Sequence, residues 1–524
     1  MKRLLALAVL LALLSGCAHT PPEVLEPDWE PPVLEEGQET PEKESETPDW
    51  PAVFSLAYHR GQTLDPVLCG DGVQEDVASL LYEPLFRLDG GFEPEPLLCG
   101  SWESDETFRV WTLTMREDAC FSDGTAVTAA DAAASIRRAM TSERYAYRLR
   151  NVASAAANRS GELVITLAAP NNGFLSLLNI PVTKSGSERQ GLPVGSGPYV
   201  FAEEGSSAWL EASGAWWQGK ALPAERIELV HAKDRDTAAY LFTSHQTALL
   251  SADPSGSMPA SAGQAEIVNV PTTSLQFIGF NTAAEEGVFS QAAARSAFSL
   301  GIQRDMLSET FLSGRALAVQ LPISPVSPLY PEELETVYSQ EALTAAMRAA
   351  GQDTGEKKEL RMLVNEENSF RTANAQFIAE GLSTADWEIT VVELPWEEYL
   401  AALELGDFDL YYGEVKLTAD WDLRELIGTG GLLNYGGYTN EVTDQLLEEF
   451  STAADRESAA RALFAHLRNT MPIAPVCFRS TAVLTYPGVV EGLAPRAGDT
   501  FFGIENWTIH LSGEENGVDI PENP

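Results

Sequence analysis

From Arg109 to Met115 apolar and polar side chains alternate, with Trp111, Leu113 and Met115 on one face and Thr112 and Thr114 on the other. A period of two predicts a strand with one buried face. Leu163 to Leu167 reads the same way, and Tyr199-Val200-Phe201 starts another strand after the turn Gly195-Ser196-Gly197-Pro198. Between the first two strands, Ser122-Asp123-Gly124 marks a turn, with Gly124 supplying the backbone freedom it needs. Thr128 then opens a helix running to Met140, with Asp131 at the capping-box spacing. Helical periodicity returns over 290–302, 339–350, 441–450 and 457–469. The apolar runs 359–364 and 389–394 predict strands between those helices. Strand–helix alternation of this kind points to parallel or mixed sheets in an α/β protein.

The first sixteen residues follow a different pattern. Lys2 and Arg3 precede an apolar run from Leu4 to Leu14, and Ser15-Gly16-Cys17 follows. This is the layout of a secretory signal, 1–16, too short to cross a bilayer that needs about 20 residues. Leu14-Ser15-Gly16-Cys17 resembles the bacterial lipobox, which implies a Cys17 acylated by more than one chain as the first residue of the mature protein. Ala18 to Trp50 carries eleven acidic residues, one lysine and seven prolines, too polar to bury a core. The segment 17–50 therefore reads as an extended tether, and 513–524 as a second loose acidic tail. Folded structure is expected from about Pro51 to Leu511, enough for two or three domains.

A net charge of −43 repels nucleic acid and anionic lipid surfaces, so neither is expected as a partner, and membrane attachment is by the lipid anchor only. Cys69, Cys99, Cys120 and Cys477 allow three disulfide connectivities, but no Cys-x-x-Cys or zinc spacing is present. A chain of this length folds without staples, and the reading favoured here is four small buried hydrophobes.

Read in order, several segments are similar to the extracellular solute-binding proteins of the peptide and nickel family that serve ABC importers. The residues are Leu64-Asp65-Pro66, Leu81-Tyr82-Glu83-Pro84-Leu85, the run Phe121 to Asp131, and Gly195-Ser196-Gly197-Pro198-Tyr199. Phe280-Asn281-Thr282, Phe289 to Arg304, Phe311-Leu312-Ser313-Gly314 and Thr470 to Pro475 continue the series. The resemblance implies a two-lobed α/β clamshell of the periplasmic-binding-protein type with an extra subdomain in the first lobe. It divides the chain into a first lobe over 51–280 (its inserted subdomain at about 76–190), a second lobe over 281–470, and a return to the first lobe over 471–512. Chain crossings near Asn281 and Pro472 are the expected hinge, although a plain turn role suits Asn281 equally.

In peptide-binding members of the family an aspartate near the cleft pairs with the ligand's α-ammonium. Asp420, within Lys416-Leu417-Thr418-Ala419-Asp420-Trp421-Asp422, falls on that position. A carboxylate in a poorly solvated cleft makes short charge-assisted bonds to an ammonium. The competing role is a cap or turn residue after a buried strand. Thr418 and Trp421 join Asp420 as candidate contacts, and Tyr145 and Tyr147 fall where relatives place a tyrosine at the cleft. Packing at lobe surfaces explains the rings as well. Gly436-Gly437 permits close backbone approach, to ligand or to a neighbouring loop. Family members often carry an arginine shortly before the aspartate, where this chain has Gly413-Glu414. The ligand's carboxylate end is thus left without an obvious partner.

The expected function is capture of short peptides outside the cell, as a monomer, for delivery to ABC permease subunits. The expected site is the outer face of the cytoplasmic membrane or the periplasmic space. Nickel-chelate or oligosaccharide capture, and peptide sensing, compete within the same fold. A surface hydrolase is the rival of another class, but the chain lacks Gly-x-Ser-x-Gly, His-Glu-x-x-His and Walker-type sequences. Its six histidines form no close metal-ligand pair. No catalytic residue, metal or cofactor is expected.

Overall fold

The computed structural model describes residues 51–512 apart from 71, 254–263, 313, 332–333, 335–336, 350–356 and 385–386. Cys17, the signal, the acidic tether and the acidic tail lie outside the described residues.

The chain enters with β1 (Ser55–Tyr58) and α1 (Gly72–Ser79), then makes a short hairpin of β2 (Phe86–Leu88) and β3 (Pro94–Pro96). The strands β4 (Cys99–Ser104), β5 (Val110–Met115), β6 (Val152–Ala157) and β7 (Leu163–Leu167) form a separate sheet in the order β4-β5-β7-β6. Helix α2 (Ala129–Ala139) covers one face of it. Trp111, Leu113 and Met115 turn inward with Leu163, Ile165 and Leu167, as the alternation requires, and Ile136 of α2 packs on them. The helix start is closed by a reciprocal capping box: Thr128 Oγ1 accepts from the Asp131 amide at 3.3 Å, and Asp131 Oδ2 accepts from the Thr128 amide at 3.0 Å. The preceding turn places Gly124 at φ +81°, a region that side chains with a Cβ enter only at a cost. Every pair in this sheet is antiparallel, against the expectation of parallel or mixed pairing. The reason is that α2 lies across one face and does not connect parallel neighbours.

The chain returns through β8 (Tyr199–Glu204), β9 (Ser207–Ala212) and β10 (Arg226–His231), giving the sheet β1-β10-β9-β8, in which only β1–β10 is parallel. Helix α3 (Arg235–Thr243) then leads to β11 (Leu249–Ala252) and to the long strand β12 (Glu266–Phe280). The second lobe follows with α4 (Ala292–Leu300), α5 (Arg304–Leu312), β13 (Ala316–Ala318), α6 (Gln340–Ala349), β14 (Lys358–Asn365), α7 (Ser369–Leu382), β15 (Trp387–Leu394), α8 (Trp396–Leu405) and β16 (Leu410–Lys416). The helix pair α9 (Glu441–Thr452) and α10 (Arg456–Thr470) and the long strand β17 (Ile473–Thr485) complete it. Here the mixed sheet is present: the order is β11-β17-β12-β16-β14-β15, with β14 parallel to both β15 and β16.

β12 and β17 tie the lobes together. Residues 266–271 of β12 lie against 480–485 beside β11, whereas 275–279 lie against 473–478 beside β16. The pairing slips between Pro271 and Leu275 and again between Gln276 and Phe277. Pro271 has no amide to give the ladder, and such irregularities bend a strand. One core joins Phe54, Tyr82 and Leu210 to Val483, Phe501 and Trp507, so the first lobe is built from both ends of the chain. Another gathers Phe280, Phe298, Met362 and Tyr412 in the second.

Asn281 and Pro472 lie at the far ends of the crossing strands, beyond the register breaks. The Asn281 side-chain amide donates to the Gly406 and Phe408 carbonyls at 3.0 and 2.9 Å, bracing β12 against the chain entering β16. Gly436 makes its close approach to backbone: a Cβ there would sit 2.1 Å from the Phe280 carbonyl oxygen. Cys69, Cys99, Cys120 and Cys477 are all free, and burial raises the Cys99 and Cys477 thiols to about 12.

Candidate functional site

The apolar strand β16 ends at Lys416, and the chain immediately reverses, the Trp421 amide donating to the Thr418 carbonyl at 2.9 Å. Trp421 takes φ +55°, and its indole is driven into the second lobe's core, edge-on to Phe92 at 5.4 Å and Phe478 at 5.8 Å. That leaves the carboxylate of Asp420 at the boundary between lobes. It is only 4% exposed. Thr418 Oγ1 donates to its Oδ1 at 2.5 Å, and Asn171, on the loop after β7, donates from the other lobe to its Oδ2 at 2.7 Å. Arg456, the first residue of α10, donates through Nη2 to the Asp420 carbonyl and lies over the Phe450 ring at 4.6 Å. A Cβ on Gly173 would come within 2.7 Å of that guanidinium, so the Asn171-Asn172-Gly173 turn and Arg456 meet face to face.

Asp422 continues the contact. Arg424 grips it twice, Nε to Oδ1 and Nη2 to Oδ2, both at 2.9 Å. Arg150 of the subdomain reaches Asp422 Oδ2 at 3.2 Å and Glu425 at 3.8 Å. Burial alone raises the Asp422 carboxyl, but its bonds to Arg424 and the charge of Arg150 prevail and hold it below the ordinary value. The Asn172 amide donates to the Ser451 carbonyl at 2.8 Å. Lobe meets lobe here through the hairpin carrying Phe92, the 147–150 segment and the 171–173 turn. Asn171, Asp420, Asp422, Arg424, Ser451 and Arg456 line a small recess. Two buried donors beside Asp420, Trp421 Nε1 and Arg456 Nε, have no partner among the described residues.

The sequence candidates separate into two groups. Asp420 and Thr418 sit together at the lobe boundary, and Tyr147, 45% exposed, stands beside them with Arg150 4.3 Å over its ring. Burial comes first in raising the Tyr147 hydroxyl, and Glu425, Asp422 and Asp420 add to it through space. Trp421 and Tyr145 are instead packing residues in their observed positions, at 1% and 2% exposure. A bulky ring just after a tight turn, or just after α2, is placed by the core behind it. Sequence reading missed Asn171, Arg150, Arg424 and Arg456. The signal for Arg456 was present: an arginine in the first turn of a helix opposes the helix dipole and needs another reason to be there. Asn171 offered only a loop signature.

A family model described as bacterial extracellular solute-binding proteins, family 5 middle, matches residues 93–422, more than half of the chain. The dipeptide-binding protein DppE of Bacillus subtilis is 22% identical over 477 residues, covering 79% of this chain and 84% of that protein. The glutathione-binding protein GsiB of Salmonella typhi is 25% identical over 272 residues, 48% of this chain and 52% of that protein, so the chain spans about half the length of this relative in the match. Among solved structures, a nickel ABC transporter from Bacillus halodurans superposes at TM-score 0.71 with 19% identity, over 86% of this chain and 98% of its own. The oligopeptide-binding protein AppA from Bacillus subtilis, solved with a nonapeptide, gives 0.59 with 18% identity over 88% and 100%. These likenesses fix the fold as the two-lobed α/β type, and with the family match they decide the class: this chain belongs to the bacterial extracellular solute-binding proteins, family 5.

Proposed function

We propose that this protein captures short peptides outside the cell and presents them to an ABC permease, binding without altering them. The observation that carries the reading is the placement of Asp420. A carboxylate 4% exposed is held at the meeting of two lobes, and the group reaching it from the opposite lobe is a neutral amide. A ligand ammonium taking the place of Asn171 would gain a charge-assisted bond in a poorly solvated setting. Thr418 orients the carboxylate and Tyr147 flanks the ligand, while Trp421 and Tyr145 support them from behind. The slips in β12–β17 pairing act as the hinge, and closure about them creates the surface offered to the permease. Acylation of Cys17 tethers the monomer outside the cytoplasm, with 17–50 as the spacer.

The named relatives are dipeptide- and glutathione-binding proteins, ligands that share a free amine, which supports the same reading. Denaturing the purified protein and identifying released small molecules by mass spectrometry tests it. Released peptides are expected; a sugar or a metal chelate as the sole ligand ends the peptide reading. Thermal shifts given by peptides and their N-acetylated forms, in wild type and Asp420→Asn, test the ammonium contact. Equal shifts throughout remove Asp420 from the site.

A further inference from the structure

The turn that sends Asn171 to Asp420 makes a second contact with the opposite lobe, and the Asp420 carboxylate has no part in it. Its mount is rigid. The Asn171 amide donates to the Phe108 carbonyl at 3.1 Å, Asn171 Oδ1 accepts from the Gly173 amide at 2.9 Å, and Phe174 is buried in the core of the subdomain. From that mount the Asn172 backbone amide donates to the Ser451 carbonyl at 2.8 Å, and its side-chain amide donates to the Ala453 carbonyl. Both acceptors stand at the end of α9, where a helix leaves its last carbonyls without partners of its own. The last turn of α9 holds no basic residue to settle its negative end. Asn172 thus caps α9 from the other lobe. Gly173 completes the fit. Its φ of −85° suits any residue, yet a Cβ would stand 2.7, 2.8 and 3.0 Å from Nη2, Cζ and Nη1 of Arg456. That guanidinium has little freedom to retreat, because it donates to the Asp420 carbonyl and lies over the Phe450 ring.

We propose that Asn172 and Gly173 form a latch on the end of α9 and on Arg456, one that holds the lobes together with or without a ligand. The two asparagines then divide the task. Asn171 occupies the carboxylate of Asp420 and gives way to the ligand, whereas Asn172 binds carbonyls that the ligand need not reach. Water replaces those bonds when the lobes part, so each shifts the balance of closed and open forms by only roughly 2- to 12-fold. The latch is therefore strong enough to favour closure and weak enough to release. It needs no ligand, so its test stands apart from the peptide-capture reading.

Hydrogen exchange of the unliganded protein, resolved to single amides, tests this. The Asn172 amide is bonded across the lobes, while the Asn171 and Gly173 amides are bonded within one lobe and serve as controls. Gly173→Ala is expected to lower the protection of the Asn172 amide by roughly 5- to 150-fold, the range for overpacking a close contact. Asn172→Asp, which turns a donor into a charged acceptor facing carbonyls, is expected to lower it by more than the roughly 2- to 12-fold of one neutral bond. In both variants the controls keep their protection. In an Arg456→Ala background Gly173→Ala loses its effect, because nothing is left to collide with. Unchanged protection in either variant, a loss shared by the controls, or a Gly173→Ala effect that persists without Arg456 overturns the latch. Trialanine supplies a second arm: with it bound, Asn172 stays protected, and a loss of protection on binding overturns the claim that the latch outlasts ligand entry. If trialanine does not bind, the peptide reading is the one that fails, and the ligand-free exchange decides the latch alone.

Discussion

Two ends of one short segment, 416–425, meet the first lobe in opposite ways. Around Asp420 and Asp422 the carboxylates are fully engaged: Asn171, Thr418, Arg424 and Arg150 satisfy them, and Phe92 and Trp421 close the contact with packed rings. Around Lys416 and Arg148 no carboxylate makes an ion pair among the described residues, and Asp420 and Glu75 act on Arg148 only through space. The first end bridges the two lobes by direct bonds; the second bridges them by none among the described residues. A protein that must close on a ligand and reopen needs both, since a change of population requires differential affinity for the two states. The contrast teaches that a carboxylate held by a neutral amide can exchange that partner for a ligand ammonium, whereas the bidentate grip of Arg424 on Asp422 is not open to exchange.

The strongest way to break the comparison is to remove one end at a time. Asp420→Asn should cost about 2–5 kcal/mol of affinity for a peptide with a free amine, the range for losing one partner of a buried charge pair. It should cost little for the N-acetylated peptide. Titration calorimetry with both ligands reads the difference. Similar losses for both forms would mean that Asp420 serves the fold and not the ligand.

Next in size is the contact that crosses the lobes. Asn171→Ala removes a bond to a charged acceptor, worth about 1.5–3 kcal/mol. That amounts to a shift of roughly 10- to 150-fold in the balance of closed and open forms. Small-angle scattering of the unliganded protein should show a larger radius of gyration, with the secondary-structure signal unchanged. Lys416→Gln, at the other end, should leave the radius unchanged or reduce it. An Asn171→Ala protein as compact as wild type would show that Phe92 and Arg150 hold closure without it.

How much of this was legible in the chain follows the same division. Strand alternation at Trp111, the capping box at Thr128 and the order of family-like segments gave the elements and the fold class, because local pattern reports local structure. Asp420 was found through its position after an apolar strand. The contact between lobes was not legible: Asn171 and Asp420 are 249 residues apart in sequence, and only the fold brings them together. Trp421 and Tyr145 stood as contacts or packing residues alike, because an aromatic residue next to a candidate site says nothing about which way its ring turns. The sequence expectation set the hinge at Asn281 and Pro472, the strand ends; the register slips were not legible, because they lie inside long strands that periodicity reads as continuous.

pH sharpens the contrast from both sides. Asp422 has its carboxyl below the ordinary 3.8, so the closure it supports is intact above that value. That support is lost as pH falls through the depressed one. Lys416 lies below the ordinary 10.5, so it loses its charge earlier than a free lysine as pH rises. Loss of the ligand's own α-ammonium at about pH 8 weakens a free-acid peptide and its amide alike, so the expected mark of Lys416 is a fall in the acid-to-amide affinity ratio before pH 10.5. Calorimetry across pH 3–11, which wild type and Lys416→Gln must both survive as judged by circular dichroism, reads the two limbs. A fall in the ratio that persists in Lys416→Gln would assign it to another group.

The smallest effect separates positioning from contact. Helix α2 leads directly into the segment that carries Arg144, Arg148 and Arg150, and its start is held by Thr128 and Asp131. Thr128→Ala removes one side of the capping box and should cost about 1 kcal/mol, within a usual range of about 0.5–2. The cost should fall on the subdomain, seen as faster amide exchange in α2 and a lower urea midpoint. The acid-to-amide affinity ratio should stay at its wild-type value, because the cap touches neither end of the ligand. A changed ratio would mean that the cations are held in place by the helix start, and that the unbalanced end of the cleft is set by the subdomain's stability as much as by the residues that line it.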